Sequence, residues 1–344
     1  MLRGCASVYV FAGHVYAGQS PDRTGIVAFI LKFGQEAVMC FFLLSGFVIY
    51  YSHHLHHDHR FSTYLIRRSR RIFPIYLLAL GLSYLVAIAA GDPHLDWGNL
   101  VGNIFMLQDF SAGKPGVWVD TFRGNVPLWS LSYEWWFYMM FFPIYSKVSD
   151  RFQLPLVTIL SLVGLFGYAI WPNQVCLFLL YFIMWWTGVE LARTYCRGIR
   201  PTFYTQRGSV LVLATFCLFV PAVMLGLMAR PEHLSFGFHP ILEVRHFVAC
   251  FIVLCLGLAW SELRWRGFTI VFGVFSFFAP ISYALYVFHY PLTVYTAYLG
   301  SLANPYLRAA IAVAISLLLA YCAEVPFQRA FVRWTQRRKR SQVL

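Results

Sequence analysis

Apolar windows of about twenty residues recur along the whole chain, divided by short polar stretches. They fall near 4–18, 26–51, 73–90, 127–146, 154–171, 175–193, 208–228, 241–260, 270–298 and 306–327, which predicts about ten transmembrane helices. The ninth window is too long for one straight span, and Pro280 and Pro291 predict a kink or break within it. No linker is long enough to separate domains. Residues 1–330 therefore read as one membrane domain, followed by a basic cytoplasmic tail at 331–344 suited to anionic lipid. The one long extramembrane stretch is 91–126, where Asp92, Asp96, Asp109, Lys114, Asp120, Trp97 and Trp118 suggest a carbohydrate contact or an interfacial belt.

Composition sharpens this into an all-α, polytopic integral membrane protein. The chain is 59% hydrophobic and only 12% charged, whereas a soluble domain is about 45–50% apolar and about 25% charged. A net charge of +13 would suggest nucleic acid in a soluble protein. Here no nucleic-acid partner is expected, because the basic residues flank membrane spans. With the N-terminus cytoplasmic, the inner segments hold all of the 27 Lys and Arg except Arg23, Lys32, Lys114, Arg123, Arg230, Arg245 and Arg308. This bias predicts an even span count and two cytoplasmic termini. The first window could also pass for a signal peptide, but a histidine inside it and the topology favour a retained helix. Eight scattered cysteines, with no CxxC, read as small buried hydrophobes.

Ionisable residues inside spans carry the candidate chemistry. In the first helix Arg3 and His14 are eleven residues apart, three turns to within about 20°, so both lie on one face about 16 Å apart along the axis. Glu36 sits about 15 Å into the second span, at a depth that matches His14 on an adjacent antiparallel helix. A carboxylate there would hold the imidazole's tautomer and make it a general base. Arg68 and Arg71, in YLIRRSRRIFPIY, share a helix face and suit phosphate oxygens. Ser130, Glu134 and Tyr138 line one face of the fourth span, and Ser282, Tyr286 and His289 one face of the ninth. Glu324, just before Pro326, reads as an end-of-helix residue. The run SHHLHHDHR at 52–60 is read as a solvated loop rather than a metal site, since it lacks a second ligand set.

In order along the chain, these segments resemble the membrane acyltransferase 3 family, which includes bacterial O-antigen acetylases. The resemblance rests on Arg3 and His14 as R-x10-H, FFLLSGF at 41–47, Arg68 and Arg71 in RxxRIxP, PLWSLSYEWWFY at 127–138, ISYALYVFHYPL at 281–292, and Glu324-Val-Pro326. It implies a ten-helix enzyme of the bacterial inner membrane that moves an acyl group, typically acetyl, from acyl-CoA to a hydroxyl of a carbohydrate acceptor, a glycan or lipid-linked sugar. It implies His14 as the catalytic histidine, Arg68 and Arg71, with Arg3, as donor contacts, and no metal. Many members carry an Asp two residues before the FF pair. Met39 stands there in this chain, and Glu36, one turn outward, is the acidic residue expected to replace it. A proton-coupled transporter is the competing reading, with His14, Glu36 and His289 as a relay.

Overall fold

The computed structural model describes residues 1–19, 25–56, 60–228 and 234–341, and the side chains of all of these except Gln19 and 336–341. Arg23, Arg230, the His57-Asp58-His59 part of the histidine run and the side chains of Arg337, Arg338, Lys339 and Arg340 lie outside the described residues. The structure is 79% helical and, among the described residues, has one two-residue strand pair, Gln108–Asp109 with Val119–Asp120. The order is α1 (Leu2–Gln19), α2 (Gly25–Leu31), α3 (Gly34–His54), α4 (Phe61–Ala89), α5 (Trp97–Ile104), α6 (Trp129–Lys147), α7 (Asp150–Ile170), α8 (Gln174–Cys196), α9 (Arg207–Val223), α10 (Ile241–Glu262), α11 (Phe268–Phe272), α12 (Ser282–Thr293), α13 (Pro305–Cys322) and α14 (Gln328–Ser341).

Among the described residues, seven helical stretches are long and apolar enough to cross a membrane: Gly25–His54, α4, α7, α8, Arg207–Met228, α10 and Pro305–Thr335. A bent pair, Phe268–Ser276 with Ala279–Thr293, makes an eighth. Its 51° bend falls at residues 277–278, just before Pro280, whereas Pro291 is accommodated inside α12. The second predicted span is itself broken, by a turn at Lys32–Phe33 between α2 and α3. The last span does not end at Pro326. A π-helical turn at Ala323–Phe327 absorbs the proline and leads into α14.

Small residues set the helix spacing, as expected where lipid offers no hydrophobic drive between helices. A Cβ on Gly46 would stand 2.1 Å from the Trp185 carbonyl oxygen, and one on Gly188 would stand 2.0 Å from that of Leu43. The backbones of α3 and α8 thus meet face to face. On α1, Gly4 and Gly18 press against the carbonyls of Phe275 and Thr293 in the same way, and Ser7 Oγ donates to the Ser282 carbonyl at 3.1 Å. These contacts fix α1 along the whole of α12.

The segment 91–126 folds over one end of the bundle. Asp96 caps α5, accepting from the Asn99 amide at 2.9 Å. Buried Asn103 donates to the Asp120 carbonyl and accepts from the Phe122 amide. Arg123 grips Asp92 at 2.6 Å and holds that exposed carboxyl below its ordinary value. Asp109 and Lys114, read above as surface groups, are instead buried. They pair at 3.0 Å, and the Tyr133 hydroxyl donates to Asp109 at 2.6 Å. Trp97 and Trp118 do remain exposed.

Candidate active site

Two cavities approach each other between α1, α3, α6 and α12. The first, about 300 Å³, is lined at one end by Arg3, Arg67, Arg68 and Arg71, and further in by Ser45, Ser130, Glu134, Tyr138, Ser282 and Tyr286. The second, about 460 Å³, is lined by His14 and Tyr16 of α1, Lys32 and Gln35 around the α2–α3 turn, and Trp129 at the start of α6. Neighbouring residues face opposite cavities: Trp129 the histidine side, Ser130 the arginine side. The wall between them includes the contact of Ser130 Oγ with the Tyr286 hydroxyl at 3.0 Å.

On the histidine side, His14 meets His289, a buried residue of α12. His14 Nδ1 lies 2.8 Å from His289 Nε2, and His289 Nδ1 lies 2.9 Å from the Leu285 carbonyl oxygen. A carbonyl only accepts, so His289 carries its proton on Nδ1. Its Nε2 is then the acceptor, His14 Nδ1 must donate, and the basic lone pair of His14 sits on Nε2. The tautomer assignment thus follows from one backbone oxygen. Phe11 packs edge-on to His289 and Tyr290 edge-on to His14, restricting both rings.

Glu36 is not the partner of His14. It pairs with Arg245 of α10. One residue along a helix turns about 100°, and it is Gln35 and Val38 of α3, not Glu36, that line the histidine cavity.

At the arginine end, Glu324 holds Arg71 through two bonds, Nη1–Oε2 at 2.6 Å and Nη2–Oε1 at 3.1 Å. The end-of-helix glutamate is therefore an arginine clamp, which sequence spacing 253 residues apart gave no means of seeing. Arg68 donates to Ser52 Oγ at 3.2 Å, and its Nε is buried without a partner. Four guanidinium groups face two carboxylates, Glu134 and Glu324, leaving the cavity net positive. Glu134 accepts from Ser45 Oγ at 2.7 Å and from the Tyr138 hydroxyl. The structure thus brings together Ser130, Glu134, Tyr138, Ser282 and Tyr286 with Arg3, Arg68 and Arg71 in one cavity, and His14 with His289 at its neighbour. Ser45 and Gln35 join them without having been singled out. Among the described residues no group of three His, Cys, Asp or Glu side chains is placed to hold a metal.

The profile of the family described as acyltransferase domain matches residues 1–325. Acyltransferase MdmB of Streptomyces mycarofaciens is 31% identical over 154 residues, which are 43% of this chain and 38% of that protein. Exopolysaccharide production protein ExoZ of Rhizobium meliloti (strain 1021) is 29% identical over 113 residues, 31% of this chain and 33% of that protein. The match spans well under half the length of either relative. No solved structure matches.

Proposed function

We propose, from the premise that the chain belongs to the acyltransferase 3 family over residues 1–325, that it is an integral membrane O-acyltransferase using acyl-CoA. The observation that carries this reading is an arginine-lined cavity beside a histidine-lined one, adjoining at Ser130 and Trp129, with the His14–His289 pair on the histidine side. Arg3, Arg67 and Arg68, with clamped Arg71, suit the phosphates of the donor, because guanidinium groups bind phosphate oxygens through paired bonds. The pantetheine arm follows the cavity past Glu134 towards Ser130 and Tyr286. The acceptor hydroxyl enters the other cavity and reaches His14.

His14 Nε2 removes the hydroxyl proton as the oxygen attacks the thioester carbonyl carbon. The carbon–sulfur bond then breaks, and the departing thiolate takes the proton back from His14. Throughout, His14 Nδ1 keeps its bond to His289 Nε2, so the imidazolium forms against an acceptor already in place. Burial between the two cavities keeps water from the thioester. A carbohydrate acceptor is favoured by the resemblance to an exopolysaccharide production protein, and acetyl is the acyl group the family resemblance implies. Ten spans, cytoplasmic termini and the bacterial inner membrane complete the reading, with the arginine cavity facing the cytoplasm.

The experiment is CoA release by the purified full chain, given acetyl-CoA and surface glycans extracted from cells lacking the protein. His14→Ala should abolish release and glycan acylation while melting at the same temperature as wild type. Normal acylation in that variant overturns the proposal. Movement of solute without CoA release would instead favour the transporter reading.

A further inference from the structure

Behind the wall of the histidine cavity runs a buried polar chain that the transfer chemistry does not use. The Tyr181 hydroxyl of α8 lies 2.7 Å from His246 Nδ1 of α10, and His246 Nε2 lies 3.2 Å from Gln35 Oε1 of α3. Tyr181 and His246 are fully buried, whereas Gln35 lines the cavity that holds His14. The His246 ring lies parallel to the Trp129 indole, 5.7 Å between centres, and Trp129 belongs to the same cavity wall. One residue on, Glu36 pairs with Arg245 between the same two helices. These two adjacent rungs fix the rotation of α3 against α10 and turn Gln35 to the cavity, since successive residues on a helix are about 100° apart.

Polarity along the chain follows from its buried end. The Tyr181 hydroxyl has no other hydrogen-bond partner among the described residues. A buried donor without an acceptor is costly, so Tyr181 donates to Nδ1. His246 then carries its proton on Nε2 and donates it to Gln35 Oε1. With its oxygen taken, Gln35 has only its amide N–H groups to offer the cavity, and these have no partner among the described residues.

We propose that Gln35 positions the acceptor: its side-chain N–H groups hold an oxygen of the acceptor beside the hydroxyl to be acylated, and His246 and Tyr181 lock the amide against offering its own oxygen instead. This rests on the reading that the His14 cavity receives the acceptor. Gln35 is assigned to the acceptor rather than to the thioester because it lines the His14 cavity and not the arginine-lined one. The chemistry selected is an accepting oxygen: a carbonyl, carboxylate, ring or glycosidic oxygen. Among the described residues no Asp or Glu lines this cavity, and Lys32, which does, also only donates. The fixed groups therefore favour an acceptor rich in such oxygens over one bearing an ammonium.

The arrangement is read directly by solid-state NMR of the full chain in phosphatidylcholine nanodiscs. Arg245-His246 is the sequence's one Arg-His pair, so carbonyl-labelled arginine with isotope-labelled histidine assigns His246 without a variant. Wild type should show Nε2 protonated and Nδ1 bare, and Tyr181→Phe should show both tautomers. A proton on Nδ1 in wild type, or an unchanged tautomer in Tyr181→Phe, overturns the lock. The role is read by CoA release from acetyl-CoA, with titrated extracted glycans as acceptor. Gln35→Glu keeps an oxygen for His246 but loses the donor, and should raise the KM for glycan at least about tenfold, the worth of one hydrogen bond. The KM for acetyl-CoA and the melting temperature should not change. Gln35→Met, which keeps the side-chain length without the donor, should raise the glycan KM as well. An unchanged glycan KM in both variants, or both KM values raised alike, overturns the proposal. Loss of release in His14→Ala together with that unchanged glycan KM would strike this inference alone. Normal release in His14→Ala would overturn the proposed function and, with it, the role given to Gln35.

Discussion

His289 serves His14 only as an acceptor, because its other nitrogen is committed to the Leu285 carbonyl. His289→Ala should therefore lower kcat about 10–100-fold, the usual cost of losing a group that orients a functional histidine, while leaving the KM for acyl-CoA unchanged. His289→Gln, whose side-chain oxygen can still accept from Nδ1, should recover part of the loss. Steady-state kinetics of the two variants check this, and equal activity in Ala and Gln would remove the orienting role. The arginines call for a different design. Glu324 is nearly buried, its side chain 2% exposed against 40% for Arg71, so Arg71→Ala strands a buried carboxylate and should destabilise the fold by about 3–5 kcal/mol. Adding Glu324→Gln should restore the melting temperature without restoring donor affinity. Arg68→Ala, by contrast, should melt normally and raise the KM for acyl-CoA about 10–100-fold, as expected for a lost charge-assisted bond. At this scale the sequence exposes residue types at useful depths. It does not expose the rotation that gives His14 a histidine partner and sends Glu36 to Arg245.

At the scale of elements, α3 and α8 meet backbone to backbone. Gly46 and Gly188 each face the other helix's backbone at about 2 Å from an added Cβ, so Gly188→Leu must push the helices apart. The expected result is loss of monodisperse protein on size exclusion, whereas Gly81→Ala on α4, with open space around it, should be tolerated or slightly stabilised. Hydropathy cannot reveal such a joint, since a glycine in an apolar run looks the same whether it meets lipid or a neighbouring carbonyl. Breaks show a similar divide. Pro280 announces the bend before α12, because it removes a backbone donor. The Lys32–Phe33 turn is announced by nothing stronger than Gly34, yet it brings Lys32 to the histidine cavity. The long-range clamp of Glu324 on Arg71 is invisible for a related reason: helix periodicity orders neighbours on one helix and says nothing of which helices touch.

The whole molecule poses a question of parity. Hydropathy of the folded helices supports seven spans, or eight with the bent pair, and the difference from ten lies in α1 and α6. Both are long enough, with 18 and 19 residues spanning about 27–28 Å of a core about 30 Å thick. Both are less apolar because they carry candidate site residues: α1 holds Arg3 and His14, and α6 holds Ser130, Glu134 and Tyr138. α6 buries its polar face against α3, with Ser45 satisfying Glu134, so neighbouring protein rather than lipid receives it, which is where intramembrane polar groups belong. The crossing of α6 is therefore expected, and it has a one-bit readout. Between Gly91 and Gly198 lie α5, at eight residues too short to cross, and then α6, α7 and α8. No atom crowds a Cβ at either glycine; the positive φ of each makes a cysteine cost about 1–2 kcal/mol of backbone strain. If α6 crosses, the two cysteines stand on opposite faces. Gly91→Cys should then react with a membrane-impermeant maleimide in intact cells above the wild-type background, and Gly198→Cys only after permeabilisation. Labelling of both from one side would mean that α6 does not cross. The arginine cavity and the segment at 91–126 would then lose their assignment to opposite faces, and with it the physical reason for a donor and an acceptor to meet at His14 from two sides of the membrane.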